Sequence, residues 1–163
     1  MSGKFVILFV CTGNTCRSPM AEGALKNLLS KKRPGRFEVV SAGTMGASGY
    51  PATMYAIEAA KIWDADISKH QSQPLTHGLI ERADLILGMS EEHLREVLRM
   101  NREAADKTFL FTNFPDPDRH GRGIDDPIGQ SLDRYNRTFL EIGEYLGRQL
   151  DEIVRRMDAK TDA

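Results

Sequence analysis

The sequence has little of what stabilises small extracellular proteins or anchors membrane proteins. Among its 163 residues are only two cysteines, Cys11 and Cys16, and one tryptophan. Two thiols in a chain of this length do not make a disulfide framework. The apolar run at residues 5–10 is too short to cross a membrane, and no small-residue cleavage site follows it. We therefore expect a cytoplasmic protein with no membrane partner.

The chain also lacks an excess of charge of either sign. Lys and Arg total 22 against 23 Asp and Glu, so the net charge is −1. Such a balance creates no long-range field to attract nucleic acid, and we expect no nucleic-acid partner. The four histidines are never spaced as H-x3-5-H, which would be typical of a zinc site. We therefore expect no metal and no other cofactor.

Alternating strand and helix patterns predict an α/β protein with a parallel sheet. Strands are expected at residues 5–10, 37–41, 83–89 and 108–111, and helices at residues 19–29, 52–63 and 91–100. A last helix carries one apolar stripe, formed by Leu132, Tyr135, Phe139, Ile142, Leu146, Leu150 and Ile153. We assign residues 1–158 to a single domain and residues 159–163 to a C-terminal tail. The Gly-, Pro- and Asp-rich residues 112–130 form a loop whose length suggests a function.

The segment CTGNTCRS, residues 11–18, has the pattern of a phosphate-binding loop. Cys11 ends an apolar strand, and Arg17 lies six positions later where a helix is expected. Backbone N–H groups that curl into a helix N-terminus converge on an anion, and Arg17 can clamp two phosphate oxygens. The same environment should lower the pKa of Cys11 below about 8.5 and make it a nucleophile. The alternative is that Cys11 is simply a buried core residue.

Neighbouring residues suit such a loop. Gly13 would permit a tight backbone turn, and Asn14 tolerates a left-handed conformation. Ser18 could donate its hydroxyl to the sulfur of Cys11. The nucleotide-binding pattern G-x4-G-K-[ST] is not present, which excludes nucleoside triphosphate chemistry on this loop.

CTGNTCRSPMAEG, residues 11–23, resembles the signature of the low-molecular-weight protein tyrosine phosphatases. Three further segments match: SAGT at 41–44, HQSQPLT at 70–76 and DDPIG at 125–129. The resemblance implies a single-domain, three-layer α/β sandwich, with a four-stranded parallel sheet of order 2-1-3-4 and helices on both faces. It also implies a protein phosphatase that forms a phosphocysteine on Cys11, acts on a phosphorylated protein and opposes an unidentified protein kinase.

The resemblance implies a role for each matching residue. Cys11, Arg17 and Asp126 would be catalytic, with Asp126 as general acid and then general base. Asp116 also precedes a proline, but Ile128 and the residues after it match the family pattern only for Asp126. Ser41 and His70 would hold the loop in shape. The residues expected to contact substrate are Thr12, Gly13, Asn14, Thr15, Cys16, Ser18 and Ile128.

Two points stay open. Cys16 resembles a family cysteine that traps oxidised Cys11 as a disulfide, although it could equally be a packing residue. Tyrosine-specific members commonly have isoleucine where this chain has Thr15, and two tyrosines where it has Ile128 and Gly129. Threonine at position 15 resembles the bacterial phosphoarginine branch, so the substrate is phosphotyrosine or phosphoarginine, with a lean towards phosphoarginine.

Two other functions are compatible with the same loop. Arsenate reductases resemble this fold but relay electrons through additional cysteines, which this chain lacks. A non-catalytic phosphate-binding module would not need Cys11, Arg17 and Asp126 together.

Overall fold

One parallel sheet forms the centre of the molecule. The computed structural model describes residues 3–162, with side chains for residues 3–160. The sheet contains four strands in the order β2-β1-β3-β4. This confirms the predicted sheet and its strand order. The strands are β1 (Phe5–Cys11), β2 (Phe37–Gly43), β3 (Leu85–Gly88) and β4 (Thr108–Leu110).

Helices cover both faces of the sheet, which confirms the three-layer sandwich. Strand β1 is buried at every position because its alternate side chains enter two different cores. Phe9 faces α1, α2 and α5, whereas Leu8 faces α3 and α4. None of the described helices is long and apolar enough to cross a membrane. The helices are α1 (Arg17–Lys32), α2 (Met54–Ala60), α3 (His77–Arg82), α4 (Glu91–Met100) and α5 (Leu132–Asp162).

The main differences between the structure and the predicted elements lie in the helices. Helix α3 was not predicted, since its six residues bury only Ile80 and carry too short a pattern. The predicted helix at 52–63 begins at Met54, because the Thr53 side chain caps it by accepting from the Ala56 N–H, and it ends as a 3-10 turn, Lys61–Trp63. A second 3-10 turn, Arg102–Lys107, precedes β4. Helix α5 runs on to Asp162, and the tail boundary after residue 158 stays a prediction.

The carboxyl ends of the strands meet at one edge of the sheet. Cys11 ends β1 beside Gly43, the last residue of β2. The long connection after β4 returns to this edge, where the Ile124 N–H donates to the Met89 carbonyl at 2.8 Å. Segments far apart in sequence therefore meet beside Cys11, where ligands usually bind in open α/β sheets.

Candidate active site

Residues between β1 and α1 form a curled loop. Asn14 has a left-handed backbone with φ of 60°, as predicted. The turn does not require glycine at position 13, because a β-carbon there would contact only the Thr15 Oγ1, at 3.7 Å. The close approach occurs instead at Gly43, where a β-carbon would collide with the Thr12 carbonyl oxygen. The loop therefore rests directly on the end of β2.

The sulfur of Cys11 lies at the base of this loop. The Cys11 side chain is buried, and its Sγ lies 2.9 Å from the Ser18 Oγ. Ser18 Oγ accepts from Asn14 Nδ2 at 2.8 Å, which leaves its own hydrogen free for the sulfur. The predicted contact between Ser18 and Cys11 is therefore present.

The expected lowering of the Cys11 pKa is wrong for this arrangement. Burial raises the pKa of the Cys11 thiol above its usual value, because a charged sulfur loses solvation there. The Ser18 hydrogen bond, the backbone N–H groups of Ser18 and Asn14 and the charge of Arg17 act in the opposite direction but are outweighed. The balance depends on burial, which the sequence pattern did not quantify.

Asn14 connects the loop to two other segments. Its Nδ2 also donates to the Ser41 Oγ at 2.9 Å, and its Oδ1 accepts from the Gln73 N–H at 2.9 Å. The His70 Nε2 lies 2.7 Å from the Asn14 carbonyl oxygen. All hydrogen-bonding atoms of the Asn14 amide are thereby satisfied. Ser41 and His70 therefore contact the loop through Asn14, and their role in holding its shape stays a prediction.

Two residues in this network were not predicted. The Glu22 Oε1 accepts from the Ser41 hydroxyl at 2.6 Å, and Gln73 Nε2 donates to the Ser41 carbonyl at 3.0 Å. Both lie inside the segments PMAEG and HQSQPLT that carry the family resemblance. The position of Glu22 and Gln73 in those segments was the sequence feature that could have identified them as site residues.

Arg17 points into the same pocket and is held on several sides. Its Nη1 donates to the Ile124 carbonyl at 3.0 Å, and its Nη2 donates to the Thr12 Oγ1 at 3.5 Å. Thr12 Oγ1 also lies 2.9 Å from Nε2 of His93, which the sequence patterns did not identify as a site residue. The Arg17 side chain is buried, and these contacts hold it with groups of the protein itself.

The structure brings Asp126, and not Asp116, to this pocket. Asp126 Oδ2 lies 3.5 Å from Arg17 Nη2, and its Oδ1 accepts from the Ile128 N–H at 3.1 Å. Asp116 instead accepts from the Asp118 N–H within an exposed turn. Asp125 pairs with Arg122 at 2.8 Å. A partly exposed carboxylate therefore lines the same pocket as the Cys11 side chain.

The pocket itself is small, with a volume of about 180 Å³. All the predicted catalytic residues line it, as do Thr15 and the half-exposed Ile128. A larger cavity of about 530 Å³ is lined by other residues, among them Glu22, Ser41 and His70. Cys11 does not line that cavity, so the chemistry belongs to the smaller pocket. Of the residues expected to contact substrate, Ser18 does not line the small pocket but contacts the Cys11 sulfur. The others do line it: Thr12, Gly13, Asn14, Thr15, Cys16 and Ile128.

Cys16 is buried beside α5. Its Sγ lies 3.3 Å from the Tyr135 hydroxyl and 3.6 Å from the Thr53 hydroxyl. Burial and this contact raise the pKa of Tyr135 to about 12. Both cysteines are free thiols. Cys16 therefore has packing contacts of its own, and a redox partnership with Cys11 stays a prediction.

Comparisons with known proteins agree with this geometry. The family model described as "Low molecular weight phosphotyrosine protein phosphatase" matches residues 6–160. A protein-arginine-phosphatase of Bacillus subtilis (strain 168) is 38% identical, over 92% of this chain and 97% of that protein. The low molecular weight protein-tyrosine-phosphatase Etp of Escherichia coli (strain K12) is 35% identical, over 82% of this chain and 84% of that protein.

A solved structure extends the comparison to the site. It is a YwlE arginine phosphatase whose active-site cysteine is replaced by a serine that carries a phosphoryl group. It has a TM-score of 0.81 and 36% identity to this chain, and the match covers 93% of this chain and 96% of that one. With the sheet order, the loop and these matches in place, the chain belongs to the low molecular weight phosphotyrosine protein phosphatase family.

Proposed function

We propose that this protein phosphatase removes phosphoryl groups from protein side chains by way of a phosphocysteine on Cys11. The observation that carries the proposal is the placement of Cys11, Arg17 and Asp126 around one pocket at the end of β1. Cys11 and Arg17 are buried in this pocket, whereas the Asp126 carboxylate is partly exposed. A phosphoryl group held by the loop N–H groups and Arg17 would have the nucleophile on one side and a proton donor on the other.

The first step transfers the phosphoryl group to sulfur. The Cys11 thiolate attacks phosphorus and forms an S–P bond, while the bond from phosphorus to the substrate oxygen or nitrogen breaks. Asp126 gives its proton to that departing atom, and Arg17 balances the charge on the transferred oxygens. Because burial raises the pKa of Cys11, the opposing bonds from Ser18 and the loop N–H groups help keep the thiolate accessible.

The second step releases phosphate. Asp126, now a carboxylate, takes a proton from a water molecule that attacks phosphorus. The S–P bond breaks, and the electron pair returns to Cys11 as a thiolate that Ser18 stabilises. Neither step requires an electron donor, which separates this reaction from arsenate reduction. A relay of additional cysteines has no candidates, since the chain contains only Cys11 and Cys16.

We further propose phosphoarginine as the preferred substrate. Thr15 lines the pocket with a small hydroxyl side chain, and the half-exposed Ile128 lines it without supplying an aromatic ring. The similarity to a protein-arginine-phosphatase over nearly the whole chain supports the same choice. We place the enzyme in the cytoplasm, opposite a protein kinase that modifies the same residue.

Two assays test the proposal. Wild type and Cys11→Ser are compared on p-nitrophenyl phosphate, and activity retained by Cys11→Ser would overturn the mechanism. Wild type and Thr15→Ile are then compared on two peptides of one sequence, carrying phosphoarginine or phosphotyrosine. We expect Thr15→Ile to shift the ratio of kcat/KM values towards phosphotyrosine by about tenfold. An unchanged ratio would remove Thr15 from the explanation of selectivity.

A further inference from the structure

His93 makes hydrogen bonds through both nitrogens of one buried ring, including a 3.1 Å contact between Nδ1 and the Ser90 Oγ. It lies in the first turn of α4 and has no solvent exposure. Its Nδ1 accepts from the Ser90 backbone N–H at 3.0 Å. The ring proton is therefore on Nε2, which lies 2.9 Å from the Thr12 Oγ1. The Glu92 carboxylate is farther from Nε2, at 3.7 Å. One nitrogen caps the helix and the other reaches the catalytic loop.

Thr12 connects His93 to Arg17. Its Oγ1 accepts from His93 and lies 3.5 Å from the Arg17 Nη2. The other guanidinium nitrogen donates to the Ile124 carbonyl at 3.0 Å. Arg17 is thus fixed at both ends by groups that belong to the protein. The Nη2 end also lies 3.5 Å from the Asp126 carboxylate.

The contact to Thr12 becomes more important during the reaction. If Asp126 donates its proton to the departing atom, as the proposed function requires, its carboxyl group no longer restrains Arg17. Among the described residues, the Ile124 carbonyl and the Thr12 hydroxyl then still accept hydrogen bonds from the guanidinium. We propose that His93 is a positioning residue: its Nε2–H fixes the Thr12 hydroxyl, and Thr12 fixes the Arg17 guanidinium for the phosphoryl oxygens. This inference rests on the proposed function.

A neutral ring suits this role. Burial and the neighbouring charge of Arg17 lower the pKa of His93 to about 3. The side chain therefore donates a hydrogen bond without adding a second positive charge beside the guanidinium. A lysine could also donate, but its charge would repel Arg17 at short range.

Two substitutions separate the helix cap from the contact to the loop. His93→Asn places an amide oxygen near the position of Nδ1, so it can keep the cap but cannot reach Thr12. His93→Gln places an amide N–H near the position of Nε2, so it can keep the Thr12 bond but loses the cap. We expect His93→Asn to lower kcat/KM on p-nitrophenyl phosphate about tenfold and to weaken vanadate binding by a similar factor. Its thermal midpoint should stay close to that of wild type.

His93→Gln should show the reverse pattern, with a lower thermal midpoint but kcat/KM and vanadate affinity within about threefold of wild type. If activity instead follows the thermal midpoint in both variants, His93 is only a helix cap and the inference is overturned. The affinity for vanadate, measured by calorimetry, depends on the position of the Arg17 guanidinium whether or not the wild type hydrolyses phosphoproteins. That readout separates this inference from the proposed function.

Thr12→Val supplies an independent test because it removes the hydroxyl while keeping the side-chain shape. We expect it to reproduce the loss seen in His93→Asn, and the double variant to be no worse than Thr12→Val alone. If the losses multiply in the double variant, the two residues act separately and the inference fails. Should His93→Asn not fold, Thr12→Val decides alone: wild-type vanadate affinity in that variant would overturn the proposal.

Discussion

The Ser18 hydroxyl lies 2.9 Å from the Cys11 sulfur and accepts a hydrogen bond from the Asn14 amide. That amide fixes the direction of the hydroxyl, so the hydrogen of Ser18 is aimed at the sulfur. The arrangement favours the thiolate over the thiol and opposes the effect of burial. It therefore has a measurable consequence for the titration of Cys11.

Ser18→Ala should raise the pKa of Cys11 further, because it removes a hydrogen bond that stabilises the charged form. The pH dependence of alkylation by iodoacetamide measures this shift. We also expect kcat on p-nitrophenyl phosphate to fall about tenfold or more, since the thiolate leaves less readily from phosphocysteine. Ser30→Ala, on the exposed part of α1, is the matched control and should change neither quantity.

Asp126→Asn should lower kcat/KM on p-nitrophenyl phosphate by about two to three orders of magnitude, because an amide neither donates nor accepts the transferred proton. Asp116→Asn is the matched control, since Asp116 also precedes a proline but lies in an exposed turn away from the pocket. Equal losses in both variants would contradict the assignment of Asp126. Steady-state kinetics across pH make the comparison.

Asn14→Ala should reduce both stability and activity. It forces alanine into a left-handed backbone and removes the side-chain bonds to Ser18, Ser41 and Gln73. We expect a loss of about 3 kcal/mol in the free energy of unfolding, measured with urea. Asp64→Ala is the control, because Asp64 has a similar φ of 55° outside the pocket. It should cost about 1 kcal/mol and leave kcat/KM unchanged.

The stability of the protein should fall as the pH drops below about 6.5. The folded protein holds His93 neutral, with a pKa lowered to about 3, whereas the unfolded chain protonates it near its ordinary value of 6.5. Between these two values the unfolded state binds more protons, so the free energy of unfolding rises with pH. From His93 alone we expect the free energy of unfolding to be about 2 kcal/mol lower at pH 5 than at pH 7.

Urea denaturation at the two pH values measures this difference. His93→Gln provides the comparison, since glutamine does not titrate and should show a correspondingly smaller change between pH 7 and pH 5. An equal change in wild type and His93→Gln would mean that other groups produce the acid sensitivity.

The sequence was most informative where structure and chemistry are encoded locally. β1, Cys11, the loop and α1 follow one another without interruption, so their arrangement could be predicted from adjacent residues. The sheet order and the choice of Asp126 came from the family resemblance. Helix α3 was not predicted because its six residues are too few to show a repeating apolar pattern. Burial of Ile80 and the Thr76 cap stabilise it instead.

Contacts between distant segments were the hardest to predict. The bond between Thr12 and His93 spans 81 positions and depends on β1 and β3 lying side by side. The collision that excludes a β-carbon at Gly43 depends likewise on the pairing of β1 with β2. The direction of the Cys11 pKa shift was also missed, because it depends on how completely neighbouring elements remove water from the sulfur.

The support of the loop by Gly43, Asn14 and Ser41 has a consequence for the cell. A loop held by contacts within the protein spends little free energy on rearrangement when it binds an anion, and we expect it to accept tetrahedral oxyanions of suitable size. Free orthophosphate, which is also the product, fits that description as well as a phosphorylated side chain does. The working rate of the enzyme should therefore decline as the surrounding phosphate concentration rises, which would link dephosphorylation to the phosphate supply.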